Sequence, residues 1–302
     1  MSRVMRKKLC ITWGFAASLW TMRIAAIQIT TGANPEDNFR LVEKAAQAAA
    51  SEGARIIVFP EASSQAFSTG RLDIHAKPLD RQGDGFDAKL ADLAEKLGVV
   101  LVAGIFTPAD TVEKDGKTIN RVYNTVVATD GRTLHVGYDK IHTYDAFDYR
   151  ESDTVRAGEE LVTFKVDGIT FGLATCFDIR FPEQFKVLAR LGAHVMLVPF
   201  SWADGEGKLA QWRTVSAARA LDCTSWIVAA GQARPGGNAE AGKESGPTGC
   251  GHSCVINPSG VRVAEAGYET EVIIHDLDIE EVDEVRRRLP VLESNPIMRR
   301  RT

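Results

Sequence analysis

Ile169-Thr170-Phe171-Gly172-Leu173-Ala174-Thr175-Cys176-Phe177-Asp178-Ile179-Arg180-Phe181-Pro182-Glu183 reads as a strand, a turn and the start of a helix. The run up to Thr175 is almost continuously apolar, as a strand buried on both faces should be. Pro182 suits the first turn of a helix, and Phe185, Leu188, Ala189 and Leu191 then recur at helical spacing. Val195–Val198 follows as a second apolar run. Strand, helix and strand in this order form a parallel unit, which puts the chain in the α/β class.

The same alternation runs backward from this stretch. Arg23–Ile29 is a strand, and Asn34-Pro35 supplies an N-cap followed by proline at the first helical position. The helix carries Phe39, Val42, Ala46 and Ala49 on one face and stops at Gly53. Arg55–Phe59 is a second buried strand. A helix with Phe86, Leu90, Leu93 and Leu97 on one face ends at Gly98, and Val99–Ile105 is the next strand. Val122–Thr129, Asp130-Gly131 and Arg132–Tyr138 predict two strands about a tight turn, and Asp167-Gly168 a second such turn. Forward from the opening stretch come a helix at Leu209–Cys223, a strand at Trp226–Ala230 and a glycine-rich loop at 233–249. Strands at His252–Ile256, Val261–Ala264 and Val272–Leu277 and a helix at Glu280–Arg288 follow. No internal repeat, low-complexity tract or linker interrupts residues 22–291, so one domain is predicted there, with residues 292–302 as a tail.

Composition narrows the function class. The chain has 302 residues, 44% of them hydrophobic and 25% charged, with a formal net charge of -4. No basic excess points to nucleic acid, and no long apolar run points to a membrane. Arg299–Arg301 reads as a solvated tail. The five cysteines, Cys10, Cys176, Cys223, Cys250 and Cys254, are sparse and odd in number, which predicts a reducing, cytoplasmic compartment. Residues 1–21 leave export open. Met1–Lys8 is basic, Leu9–Trp20 is a short apolar run, and Ala16-Ala17-Ser18 is a weak cleavage site. The preferred reading is an extension ahead of a domain that starts at Met22.

Several motifs fail on inspection. Gly205-Glu206-Gly207-Lys208 lacks the spacing and hydroxyl of a phosphate-binding loop. No GxGxxG follows the first strand. Gly251-His252-Ser253-Cys254-Val255 lacks the final glycine of a nucleophile elbow. Cys250, His252 and Cys254 fall on one side of a strand at period two. They are read as packing in a sheet rather than binding zinc, because no fourth ligand accompanies them.

Three reactive residues share one context. Glu61 follows the strand Ile56–Phe59, Lys140 the strand ending near Tyr138, and Cys176 the strand Ile169–Thr175. In α/β sheets, sites assemble beyond the carboxyl ends of strands. Their neighbourhoods resemble the nitrilase superfamily of carbon–nitrogen hydrolases. Val58-Phe59-Pro60-Glu61-Ala62, Tyr138-Asp139-Lys140-Ile141-His142 and Thr175-Cys176-Phe177-Asp178-Ile179-Arg180-Phe181-Pro182-Glu183 resemble its three motifs, in order. Gly251-His252-Ser253, Asn257-Pro258-Ser259-Gly260 and Arg287-Arg288-Leu289-Pro290-Val291 resemble its later structural segments. Phe177 stands where this branch more often has tyrosine.

The resemblance implies a four-layer-forming αββα sandwich and a Glu61–Lys140–Cys176 triad acting without a metal or organic cofactor. It implies that Glu151 supports the lysine and that the Phe177 backbone N–H joins Lys140 at an oxyanion. It also implies a homodimer or higher homo-oligomer. The run after Cys176 is similar to Nit-type amidases, including omega-amidases and deaminated-glutathione amidases, which predicts a small linear amide and water as substrates. True nitrilases commonly carry tryptophan after the nucleophile. An N-carbamoyl hydrolase, a nitrilase on the same triad, and a non-catalytic binding protein of the same fold remain as alternatives. Arg180 reads either as a holder of a substrate carboxylate or as a structural partner of Glu183 or Asp178. Trp202 reads as lining the pocket or as packing.

Overall fold

Alternating side chains on apolar strands set the architecture of the computed structural model, which describes residues 20–146 and 149–294. The signal-like residues up to 19, with Cys10, and the arginine-rich tail lie outside the described residues. The first half comprises β1 (Thr21–Gln28), α1 (Pro35–Ser51), β2 (Ile56–Val58), α2 (Phe86–Leu97), β3 (Val100–Lys114), β4 (Lys117–Thr129) and β5 (His135–Asp139). The short pair β6 (Asp145–Ala146) and β7 (Tyr149–Arg150) follows. The second half comprises β8 (Thr163–Val166), β9 (Ile169–Leu173), α3 (Pro182–Arg190), β10 (Val195–Phe200), α4 (Lys208–Cys223) and β11 (Trp226–Gly231). It closes with β12 (Cys254–Ile256), β13 (Arg262–Glu265), β14 (Glu271–Asp278) and α5 (Glu280–Arg288).

Two six-stranded sheets result, ordered β14-β1-β2-β3-β4-β5 and β13-β12-β11-β10-β9-β8. β1, β2 and β3 run parallel in the first, and β9, β10 and β11 in the second. On β2, Ile56 and Val58 enter the core between the sheets, while Ile57 meets the α1 and α2 side. On β10, Val195 and Leu197 enter that same central core, while Met196 and Val198 face the α3 and α4 side. Both strands are therefore buried on two faces, and the layers stack helix, sheet, sheet, helix. Each fully buried Val, Ile or Leu contributes roughly 1.5–3 kcal/mol, so this central core is the main source of stability.

Local signals act as the sequence dictates at several element ends. The Asn34 side chain accepts from the N–H groups of Glu36 and Asp37, capping α1. Gly98 ends α2 in the left-handed region, φ 67°. Asp167 and Gly168, φ 50° and 82°, make the two-residue turn between β8 and β9.

Three expectations need correction. The strand expected to end at Ile105 continues to Lys114 and pairs along its length with β4 through an Asp115-Gly116 turn. Its outer part is solvated and polar, so it shows no apolar alternation. The turn after Thr129 is wider than two residues: Thr129 pairs with His135, and Asp130 accepts from the N–H groups of Arg132, Thr133 and Leu134. Leu191 lies just past α3 and is 57% exposed, off the buried face assigned to it.

Candidate active site

Glu61, Lys140 and Cys176 reach one cavity from two sheets. Glu61 lies on the loop after β2, Lys140 directly follows β5, and Cys176 follows β9 and opens a 3-10 turn, Cys176–Arg180. The Cys176 backbone has φ 45°, in the left-handed region that costs a non-glycine residue roughly 1–3 kcal/mol. That conformation turns the thiol out of the strand direction and into the cavity, which measures about 440 Å³ with its mouth.

The buried centre is a charge network. Lys140 Nζ lies 3.1 Å from Glu61 Oε1 and 2.8 Å from Glu151 Oε2. The Asn124 amide donates to Glu61 Oε1 at 2.8 Å and to Glu151 Oε1 at 3.1 Å. The Tyr144 N–H donates to Glu151 Oε2 at 2.6 Å. All three ionisable side chains are 1–2% exposed, so one ammonium holds two carboxylates out of water. Burial works to lower the Lys140 pKa, but Glu151 and then Glu61 outweigh it and raise it well above the ordinary lysine value. Burial raises the Glu61 pKa, and Lys140 opposes this. Burial, and then the charge of Glu61, pushes the Cys176 thiol well above its ordinary range, against Lys140 and a hydrogen bond from the Ser201 N–H. The thiol is thus protonated at rest beside a carboxylate of raised basicity. Glu61 Oε2 is buried and no nitrogen donor reaches it, while a side-chain hydrogen bond between the Cys176 thiol and Glu61 adds to the rise of the thiol pKa.

The backbone around each group is pinned. Glu61 lies against Gly104 of β3, where a Cβ would approach the Glu61 Cα to 2.5 Å. Ser63 N–H donates to the Gly104 carbonyl at 2.7 Å, and Gly104 N–H to that of Pro60 at 3.0 Å. The Gln232 amide holds the Glu61 carbonyl at 2.9 Å. Asp178 is fully buried and joins two segments. It accepts from Tyr138 Oη at 2.6 Å, His142 N–H at 3.0 Å and Thr175 N–H at 2.8 Å. It therefore fixes the Lys140 segment against the Cys176 turn. Phe177 N–H belongs to the first turn after Cys176, where helical amides have no intrahelical acceptor.

Arg180 pairs with neither acid suggested for it. Its Nη2 donates to Gln211 Oε1 at 2.8 Å, and the guanidinium stacks 4.8 Å from the Trp202 ring. Asp178 Oδ1 also lies 2.8 Å from His142 Nδ1, so four polar contacts already occupy its two oxygens. Trp202 both lines the cavity and packs on Trp212, ring centroids 5.3 Å apart. His252 is not in a strand, since its φ is 58° and its Nδ1 pairs with Glu265 at 2.8 Å. Of the three residues weighed as zinc ligands, Cys254 alone lies in β12. Among the described residues no group of three or more His, Cys, Asp or Glu side chains could hold a metal ion. None of their helices is long and apolar enough to cross a membrane.

Sequence reasoning missed Asn124, Asp178 and Gln232. Asn124 had a signal, a lone amide in the buried inner half of β4. Asp178 and Gln232 become meaningful only once distant segments meet.

The model of the carbon–nitrogen hydrolase family matches residues 23–287. A hydrolase of Mycobacterium tuberculosis is 41% identical over 280 residues, covering 90% of this chain and 95% of that protein. The deaminated glutathione amidase of Escherichia coli O157:H7 is 32% identical over 274 residues, covering 90% and 97%. The crystal structure of Saccharomyces cerevisiae Nit3, of branch 10 of the nitrilase superfamily, superposes with a TM-score of 0.75 at 25% identity, covering 90% of this chain and 95% of that one.

Proposed function

The chain belongs to the nitrilase superfamily of carbon–nitrogen hydrolases, and on that premise we propose that it hydrolyses a small linear amide to a carboxylic acid and ammonia through a thioester on Cys176. The observation that carries this reading is the buried Oε2 of Glu61, which no nitrogen donor reaches, in the cavity that holds the Cys176 thiol. A buried carboxylate oxygen left for the thiol alone suits a group that must receive its proton.

Glu61 takes the thiol proton as sulfur attacks the amide carbon. Lys140, as ammonium, and the Phe177 N–H stabilise the negative oxygen of the tetrahedral intermediate. The C–N bond breaks, and Glu61 gives its proton to the departing ammonia. Water then attacks the thioester carbon and loses a proton to Glu61. The C–S bond breaks, the acid leaves, and the proton returns to sulfur. Glu151 keeps Lys140 charged and placed. Arg180 and Trp202, away from the reacting atoms, receive the remote end of the substrate, where Arg180 suits a carboxylate.

The test is ammonia release from small amides, nitriles and N-carbamoyl compounds by the native protein and Cys176→Ala. Amides alone should release ammonia, and only with Cys176. Glu61→Gln should lower turnover by roughly two orders of magnitude or more. Release from nitriles, or of carbon dioxide from carbamoyl compounds, would overturn the amide assignment and keep the nucleophile. We also propose a homodimer or larger homo-oligomer in a reducing compartment; a monomer by light scattering would remove the first part.

A further inference from the structure

We propose that Asp204 and Arg234 are positioning residues for the nucleophile: their buried ion pair holds a strap, residues 240–247, in the shape that lets Pro247 grip Ser201, whose N–H meets the Cys176 sulfur. This goes beyond the amidase reading above and rests on it for the reaction served. The pair stands apart from the Glu61–Lys140–Glu151 network. Asp204 and Arg234 are 1% and 7% exposed, and Arg234 Nε lies 3.3 Å from Asp204 Oδ2. A buried ion pair roughly breaks even against its desolvation, so the use of this one lies in what its other hydrogen bonds order.

Those bonds go to the strap. Arg234 donates from Nε to the Glu240 carbonyl at 3.2 Å and from Nη2 to the Lys243 carbonyl at 3.3 Å. Asp204, on the loop after β10, accepts from the Gly242 N–H at 2.8 Å. Its own N–H donates to Ser245 Oγ at 3.0 Å, and its carbonyl accepts from the Ser245 N–H at 3.2 Å. Residues 241–249 form no helix or strand, so these groups supply partners that regular structure would otherwise give the strap backbone. The strap ends at the cavity. Ser201, the first residue after β10, donates its hydroxyl to the Pro247 carbonyl at 2.7 Å, and both residues line the cavity beside Cys176. The Ser201 N–H in turn hydrogen-bonds the Cys176 sulfur and favours its thiolate. A slack strap releases Ser201, and with it a donor aimed at the charge that develops on sulfur.

The test is the rate at which iodoacetamide alkylates Cys176, read by mass spectrometry on the peptide that carries it. It compares the native protein, Arg234→Lys, Ser201→Ala and the double variant, with Tm measured alongside. Arg234→Lys keeps a cation beside Asp204, so the fold is retained, but an ammonium cannot span the two carbonyls that the guanidinium fork holds. Ser201→Ala removes the hydroxyl and keeps the N–H. Each single substitution should slow alkylation about fivefold, as loss of one hydrogen bond to sulfur implies. The double variant should also be slowed about fivefold rather than about 25-fold, because both changes cut the same line of contact. Multiplied effects, or native or faster rates in either single variant, overturn the proposal. Should Arg234→Lys fail to fold, Asp204→Asn takes its place in the same cycle with the same outcomes. The kcat for a small amide should follow the same pattern, and an unaffected kcat also overturns the positioning role. If the native protein hydrolyses no amide while the alkylation cycle holds, the amidase reading falls and the positioning stands.

Discussion

Gly104→Ala should misplace the catalytic glutamate without touching it chemically. A methyl at Gly104 would lie 2.5 Å from the Glu61 Cα, 2.7 Å from the Ala62 nitrogen and 2.9 Å from the Glu61 carbonyl carbon. Carbon atoms pack at about 3.5–4.0 Å, so loop and strand must separate by about 1 Å. All three neighbours are backbone atoms, and no flexible side chain can yield. The hydrogen bonds that clasp the loop to this glycine, Ser63 N–H to Gly104 and Gly104 N–H to Pro60, resist the separation. A 1 Å misplacement costs about 10²-fold in rate, and overpacking costs roughly 1–3 kcal/mol of stability. The assay is kcat from ammonia release, with Tm measured alongside. Turnover should fall about 100-fold while Tm drops by roughly 2–10 °C. Gly267→Ala is the control, since nothing lies within 4 Å of its added methyl. A Gly104→Ala enzyme with native turnover and native Tm would refute the reasoning.

The Asn124 amide lowers the Glu61 pKa by donating to its charged form, so Asn124→Leu should raise that pKa further. The acid limb of the kcat/KM–pH profile should then move to higher pH; an unmoved limb would sever Asn124 from Glu61. Glu151→Gln removes the largest influence raising the Lys140 pKa. A raised lysine pKa stabilises the fold fully below the unfolded value, about 10.4, and the stability is lost as pH rises through the folded value. The alkaline arm of the Tm–pH profile should therefore begin near the same pH but span a narrower range and lose less stability in this variant. Its stability near neutrality should fall by less than the ~3–5 kcal/mol of a fully broken buried pair, because Glu61 remains. An unchanged alkaline arm would contradict the network. Tyr138→Phe removes the hydroxyl donated to Asp178 and should cost about 1.5–3 kcal/mol by chemical denaturation. A native midpoint would show that this hydrogen bond does not hold the Lys140 segment to the Cys176 turn.

Legibility in the sequence followed how local each signal is. The start of α1 was readable because Asn34 and Pro35 act within one helical turn, and β2 because burial on both faces leaves a continuous apolar run. The outer halves of β3 and β4 were not, since a ribbon solvated on both sides carries no alternation. Placing Glu61, Lys140 and Cys176 together depended on motif resemblance and strand-end position, because no periodicity links residues so far apart. Gln232 acts through neighbours distant in sequence, and nothing adjacent to it announces it.

The division of the site between the sheets has a biosynthetic consequence. Glu61 and Lys140 hang from the strand ends of the first sheet, and Cys176 from the second. A ribosome-bound chain can complete the first sheet, apart from its edge strand β14, and still hold no thiol near a base. Its cysteine, high in pKa once buried, gains its proton acceptor only when the layers close. Arming of the nucleophile is thereby conditional on tertiary closure, and a stalled or half-folded chain is chemically quiet toward the amides around it.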